Sequence, residues 1–250
     1  SVNATRWQFL SVRFDGLGYL SQAHHVSDLI GRRDTLQAAL DAVRGLIEEA
    51  YPLGNEVYRD ENGAFFVVPG LAGREIVELT NAEGDTLHDI VQRAFSAAAG
   101  AGTALGGELV PRVEASGAVR GKQLKLGEHL RGEAPPLTAD PVKVDEWWRG
   151  ERAAGKEICT VCGLRPIGWG VGDLYPHSHA AYYRSQAEDR KVCGVCMQRR
   201  GRRAQEWLQS APRTTIWADE VVDANGRFAL LVGRFGLDGW LDGTLIPSLQ

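Results

Sequence analysis

Methionine is nearly absent from this 250-residue chain: Met197 is the only one, and the first residue is Ser1. A sequence without a leading methionine reads as trimmed, excised or engineered, so a fragment of a longer parent is expected. No apolar run approaches the length that spans a bilayer and no signal peptide opens the chain, which argues against a membrane partner. No strong charge of either sign is present. The formal net charge is −4, so no global basic field recruits nucleic acid, and any such binding must come from a local patch. There is no P-loop, no GxSxG elbow and no HExxH helix. What remains is ordinary for a globular protein: 44% hydrophobic and 24% charged residues, enough to bury a core in one large domain or two small ones.

Cysteine is also scarce, but its arrangement is informative. All four cysteines fall in two pairs, Cys159-Thr-Val-Cys162 and Cys193-Gly-Val-Cys196, separated by 30 residues. A CxxC turn puts two sulfurs on one side of a tight loop, and two such turns supply the four soft ligands of a tetrahedral Zn²⁺. The long interval implies a small subdomain between the pairs, and Gly163 and Gly194 fit the glycine habit of zinc knuckles. Two disulfides, a thioredoxin-type redox pair and an iron–sulfur cluster are the rival readings. Nothing else in the chain looks secreted, and a cytoplasmic location is expected. His177 and His179 lie between the pairs, but four thiolates already complete the ligand set. A closed site of this kind serves folding and not chemistry. After the second pair, Arg199, Arg200, Arg202 and Arg203 open a basic helical stretch running through Leu208. From Arg184 to Arg203 there are seven basic residues and two acidic ones, a candidate phosphate-contacting surface or simply a solvated helix face.

The first half reads as alternating strands and helices. Trp7 to Phe14 is aromatic and aliphatic and ends at the Asp15-Gly16 turn signal. From Val26, the positions Leu29, Ile30, Leu36, Leu40, Val43, Ile47 and Ala50 follow helical spacing, stopped by Pro52 with Gly54 just beyond. Glu56–Arg59 and Ala64–Val68 form a hairpin around Asn62-Gly63. A second helix starts near Asp85, the expected N-cap, and continues through Leu87, Ile90, Val91, Ala94 and Phe95, with Gly100, Gly102, Gly106 and Gly107 ending it. Glu108 to Glu114 can be a last strand, at an edge or bulged because of Pro111. Strand, helix, strand, strand, helix, strand is the ferredoxin-like order, one antiparallel sheet carrying two helices on one face. The expected class is therefore α+β: a βαββαβ domain over 5–116, then a linker and four-cysteine zinc-binding region over 117–212.

The remaining stretch, 213–250, is expected to hold a β-hairpin of Thr214–Val222 and Arg227–Phe235 around Asn225-Gly226. Its end, RFGLDGWL from Arg234, parallels RFDGLGYL from Arg13: Arg, Phe, Gly and Leu coincide and Tyr is matched by Trp. This is a candidate internal repeat, in which the chain carries one complete unit and the opening strand of a second.

In a sheet of this order the end of the first strand lies beside the central hairpin. Asp15 stands at one and Asp60 with Glu61 at the other, so these carboxylates are candidates to hold Mg²⁺ against nucleotide phosphates. Asp is also common at strand ends and turns for local hydrogen bonding, which is the plainer reading. His24-His25 leads into a helix and can serve as a simple entry loop or touch a metal or phosphate.

The segments RFDGLGYLSQAHHVSDLIGRR, YPLGNEVYRDENGAFFVVP and VGRFGLDGWLDGTL, with the paired CxxC knuckles, resemble the large subunit of type III CRISPR effector complexes, and more narrowly its divergent variants. That family carries two palm domains related to polymerases and GGDEF-type cyclases, with a cysteine zinc-binding insertion between them. The resemblance implies a first palm at about 5–116, a connecting and zinc region, and the start of a second palm. It implies as partners the other subunits of an antiviral complex, with crRNA and target RNA bound through it. The family makes cyclic oligoadenylate from ATP with a Gly-Gly-Asp-Asp hairpin in the second palm and cleaves DNA with an HD nuclease motif before the first, and this sequence has no Gly-Gly-Asp-Asp and no His-Asp pair ahead of the first palm. At the corresponding hairpin stand Arg59, Asp60, Glu61 and Asn62, without the glycine pair that admits a triphosphate. The palm is thus expected to be a nucleotide-binding or structural partner, not the catalytic half. Two other readings follow from the residues: an active nucleotidyl cyclase using Asp15, Asp60 and Glu61 with ATP and two Mg²⁺ ions, or a zinc-dependent nucleic-acid-binding module outside CRISPR.

Overall fold

In the computed structural model the described residues are 5–71, 74–97, 105–131, 144–149, 155–200, 214–222 and 228–236. The first strand, β1 (Arg6–Arg13), sends Leu10 and Val12 into the core, while Trp7, Phe9 and Ser11 alternate to the other face. Asp15 then caps a short helix, α1 (Gly16–Ser21), by accepting from the Gly18 N–H at 2.8 Å. This helix was not expected from the sequence.

Helix α2 (Val26–Gly45) buries Leu36, Ala39, Leu40 and Val43 at the three-and-four spacing that its sequence carries. It runs on into a single π-helical stretch, Leu46–Ala50, before Pro52. The hairpin of β2 (Asn55–Asp60) and β3 (Gly63–Pro69) forms at Asn62-Gly63 as expected. Helix α3 (Leu87–Ala97) buries Leu87, Val91 and Phe95 on one stripe. Its cap is Thr86 and not Asp85: the Thr86 hydroxyl oxygen accepts from the Asp89 N–H at 3.1 Å and donates back to the Asp89 carboxylate at 2.7 Å. Asp85 instead pairs with Arg93.

The last expected strand is shorter than its sequence suggests. Pro111 has no N–H for a ladder, and β4 begins just after it (Arg112–Ala115). Residues 105–110 form turns that bury Leu105, Leu109 and the carboxylate of Glu108. A two-residue strand, β5 (Val119–Arg120), pairs with the start of β1 beyond β4.

The sheet has the order β2-β3-β1-β4, and every pairing in it is antiparallel. Helices α2 and α3 share one apolar core with Leu10, Val12, Phe66, Val68 and Val113 on one face of the sheet. The opposite face has Phe9 and Phe65 edge to face, and His129 of α4 (Leu126–Arg131) lies against Phe9 with ring centroids 4.9 Å apart. The chain is thus mixed α+β on an antiparallel sheet.

The four-cysteine region follows, with three short or medium helices, α5 (Val144–Trp147), α6 (Val171–Leu174) and α7 (Ala180–Asp189), and helical residues 194–200. A compact unit spans Ser1–Arg200 and a second spans Gly201–Gln250. Within the first unit, side chains of the cysteine region reach into the sheet half. In the second unit β6 (Thr214–Val222) pairs antiparallel with β7 (Phe228–Gly236), from Val222 opposite Phe228 to Thr214 opposite Gly236. The turn of that hairpin and the proposed repeat segment beyond Gly236 lie outside the described residues. No helix among the described residues is long and apolar enough to cross a membrane.

Candidate metal centre

The two CxxC turns are built by different local means. In the first, a bridge between Ile158 and Pro166 folds the chain back on itself. The Cys159 N–H donates to the Arg165 carbonyl at 2.8 Å, and Gly163, at φ +63°, closes the turn onto the Cys159 carbonyl at 2.9 Å.

The second turn is launched from α7. Lys191 takes the left-handed conformation (φ 53°), with its N–H on the Glu188 carbonyl and the Val192 N–H on that of Ala187, a Schellman stop that redirects the chain. Cys193 then begins the helical stretch 194–200. Gly194 sits so tightly that a Cβ there would lie 2.8 Å from the Val171 nitrogen and 2.9 Å from the Trp169 oxygen. Glycine is required at both knuckles, for backbone conformation in one and for clearance in the other.

The four sulfurs converge. Cys159, Cys162, Cys193 and Cys196 are all buried, unbridged and within 4.8 Å of one another. The Cys162 and Cys193 Sγ atoms are 4.0 Å apart, against a tetrahedron edge of about 3.8 Å for Zn–S bonds of about 2.3 Å. The Cys193 N–H donates to Cys159 Sγ at 3.2 Å, a contact that favours a thiolate there. Hydrogen bonding from Cys162, then from Cys193 and Cys196, pulls the Cys159 thiol far below its ordinary range. The same contact with Cys159 pushes Cys193 and Cys196 well above theirs. Cys162 is lowered as well, to about 6, so without a cation two of the four sulfurs are favoured as thiolates and two as thiols. A divalent soft cation is what lets all four ionise together, and the donor set and spacing are compatible with zinc. His177 and His179 are exposed and outside this group.

Each knuckle also exports an arginine to one buried carboxylate. Arg165 stands three residues after Cys162, and Arg199 three residues after Cys196, so both turns read CxVCxxR. Arg165 donates from Nη1 to Glu108 Oε1, and Arg199 from Nη1 to Glu108 Oε2 at 2.9 Å. The side chains are 2%, 7% and 1% exposed for Arg165, Arg199 and Glu108. The Tyr19 hydroxyl donates to the same Oε2 at 2.5 Å. Arg165 lies over the rings of Trp147 and Trp169, with its Cζ 4.3 and 5.1 Å from their centroids. Burial by itself pushes the Glu108 carboxyl up, but Arg199 and Arg165 outweigh it and bring it down to about 2. Burial likewise pushes the Tyr19 hydroxyl well above its usual value, keeping it a neutral donor.

This cluster corrects the expectation of a phosphate-contacting face at Arg199. That guanidinium points inward because an interior carboxylate needs it. Arg200 is also engaged, holding buried Asp28 of α2 with two bonds of 2.6 and 2.7 Å. Arg202 and Arg203 lie outside the described residues. None of Glu108, Arg165 and Asp28 was a candidate from sequence, although the repeated CxVCxxR spacing was a visible signal for Arg165.

The expected carboxylate site does not assemble. The loop after β1 does lie against the hairpin: the Phe14 N–H donates to the Asn62 carbonyl at 3.0 Å and the Leu17 N–H to the Asn62 side chain at 3.2 Å. But Asp15 is spent capping α1, and Asp60 accepts from the Asn62 N–H at 2.9 Å and the Tyr58 hydroxyl at 3.1 Å. Glu61 is exposed. These three do not come together as a group of metal ligands; among the described residues the cysteines alone do. His24 and His25 are exposed at the entry to α2.

No protein-family model, no curated protein and no solved structure matches the chain.

Proposed function

We propose that the chain is part of the large subunit of an RNA-guided type III CRISPR effector complex. In this reading the sheet half is a ferredoxin-like palm that is non-catalytic on its own, and the four cysteines hold a structural zinc. The observation that carries it is the sheet order β2-β3-β1-β4, wholly antiparallel with α2 and α3 on one face. A βαββαβ chain yields that order when its two crossovers are right-handed. The paired CxxC knuckles follow it in the sequence, as the resemblance to the effector subunit implies.

The geometry of the hairpin edge favours a partner role over the cyclase reading. Two of the three carboxylates are consumed locally, and Arg59 is committed to Glu56 and Asp41. The notch beside the hairpin, floored by Leu36 and Leu40 with Asp60 and Glu61 on its lining, holds about 230 Å³. Ligand pockets run from about 300 to 1,000 Å³. In the effector family a catalytic edge carries a glycine pair before its acids, and here the hairpin reads Arg59, Asp60, Glu61 and Asn62, with no glycine pair.

The test is to recover the tagged, metal-loaded full chain from its native cells and sequence the RNA bound to it. Repeat-derived guide RNA together with the other effector subunits is the expected result. An intact chain that carries no such RNA would reject the assignment. Incubation with ATP and Mg²⁺ or Mn²⁺ separates the enzymatic alternative: no cyclic oligoadenylate is expected from this chain alone, and a product would transfer the conclusion to the cyclase.

A further inference from the structure

We infer that the four-cysteine metal centre acts on the sheet half at a distance: metal occupancy seats Arg165 and Arg199 on Glu108, and thereby fixes α1 and the edge at which β1 ends. The inference does not depend on the effector-complex reading.

Three observations carry it. First, the two arginines that neutralise Glu108 come one from each knuckle, at the same offset from the second cysteine. Their backbones are set by the turns that present the sulfurs: the Arg165 carbonyl accepts from the Cys159 N–H, and Arg199 follows Cys196 in the helical stretch that Cys193 begins. An ion held by all four sulfurs would close both turns together, so losing it would free both arginines at once.

Second, among the described residues Glu108 has no other cationic partner in its ion pairs. Apart from Arg165 and Arg199, its side chain bonds among those residues only to the Tyr19 hydroxyl. A carboxylate with 1% exposure cannot keep its charge unpaired in the interior, so it must either protonate or leave.

Third, the cluster leads to α1. Tyr19 gives its hydroxyl to Glu108, and its carbonyl accepts from Arg32 at 2.5 Å, with the Arg32 guanidinium 4.6 Å from the Tyr19 ring centroid. The Tyr19 N–H in turn donates to the Asp15 carbonyl, and the same loop is tied to Asn62 of the hairpin. Arg200 adds a second tether by holding Asp28 of α2. A change at the sulfurs therefore reaches the tip of the sheet through paired charges and not through apolar packing.

Linkage makes the coupling reciprocal: if the metal favours the seated Glu108 cluster, the seated cluster favours the metal by the same factor. Two measurements on the full chain test this. Hydrogen exchange is followed before and after zinc is stripped with a high-affinity chelator. Protection over 14–22 and 105–113 is expected to fall at least about tenfold alongside that of 157–199, while 63–69 in the central hairpin holds. Protection that persists at 14–22 and 105–113 would overturn the inference, and so would uniform loss that includes 63–69.

Zinc affinity is then measured by competition with a chromophoric chelator for the wild type and Glu108→Gln. A weakening of about tenfold is expected, within the usual span of such couplings, and unchanged affinity would overturn the proposal. Should Glu108→Gln not fold, Tyr19→Phe removes only the hydroxyl contact and is expected to weaken zinc binding in the same direction by a smaller factor. No change in Tyr19→Phe then counts against the proposal.

Discussion

The two halves of the unit Ser1–Arg200 are held together by different physics. The sheet half buries a continuous apolar core from β1, β3, β4, α2 and α3, including Phe14, Phe66, Phe95 and Ile47. Among the described residues the buried cluster of the cysteine half has ten members, and four of them are the cysteines themselves. The other six are Val161, Val171, Ala187, Val192, Val195 and Met197, and even with Trp147 and Ile167 buried nearby and Trp169, Tyr175 and Tyr183 packed against them this is a far smaller apolar core than that of the sheet half. A metal ion held by the four sulfurs would make up the difference. The contact between the halves follows neither scheme, because it is a buried carboxylate held by two arginines and a tyrosine. One half is stabilised by water leaving apolar surface, the other is built around four sulfurs arranged to meet a cation, and they are joined by charge.

The largest way to sharpen this contrast is Cys193→Ser. With one thiolate gone the cysteine half is expected to lose most of its stability, on the order of 5 kcal/mol. The hairpin and the α2–α3 core should persist. Loss of helical signal and of hydrogen-exchange protection confined to residues 155–200 and to the segments joined to Glu108 is the readout. An equal loss throughout the sheet would erase the distinction between the halves.

Next comes the joint. Glu108→Ala leaves Arg165 and Arg199 facing each other in the interior, and the expected cost in urea denaturation is about 3–5 kcal/mol. A cost below about 1 kcal/mol would show that the halves meet through packing and that the charges are incidental.

The same joint sets an acid limit. The Glu108 carboxyl lies at about 2 in the folded chain against an ordinary 4.5. The groups facing it are Tyr19, Arg165 and Arg199, with Arg32 behind Tyr19. Because the folded value is depressed, its stabilisation is fully present above pH 4.5 and is lost as pH falls towards 2. The amount is roughly 3 kcal/mol. Metal release also occurs in acid, so the informative quantity is the difference between the wild-type and Glu108→Gln stability curves. That difference should shrink through this window and stay flat above it.

The smallest expected effect belongs to the sheet half and has the opposite sign. Gly45 in α2 has helical φ and ψ and nothing within 4 Å of a Cβ placed on it. Gly45→Ala should raise stability by about 0.5–1 kcal/mol. It should do so in both metal-loaded and stripped protein, because it acts through a core the metal does not touch.

Much of this was legible in the residues, and the exceptions have causes. The spacing of Leu36, Leu40 and Val43, the alternation around Leu10 and Val12, and the Asn62-Gly63 turn each specify their element locally, and all three form. Helix α1 was missed because Gly16-Leu-Gly-Tyr-Leu-Ser carries two glycines in six residues and reads as a turn; the Asp15 cap and the burial of Tyr19 overrule that weak propensity. Glu108 was assigned to a strand because its neighbours are apolar, yet Pro111 blocks the ladder and the turn at 105–110 aims the carboxylate inward. Arg199 was read as surface by the ordinary habit of charged residues. Only tertiary structure supplies the buried anion that reverses it. The four-cysteine cluster was the clearest element of all, because four thiols in paired turns state their geometry without help from the rest of the fold.

The most direct measurement of that geometry is elemental analysis of the native, unchelated chain combined with a count of reactive thiols. One zinc per chain, with all four cysteines unreactive until the metal is removed, is the expected result. A folded chain that holds no metal and offers four freely reactive thiols would contradict it.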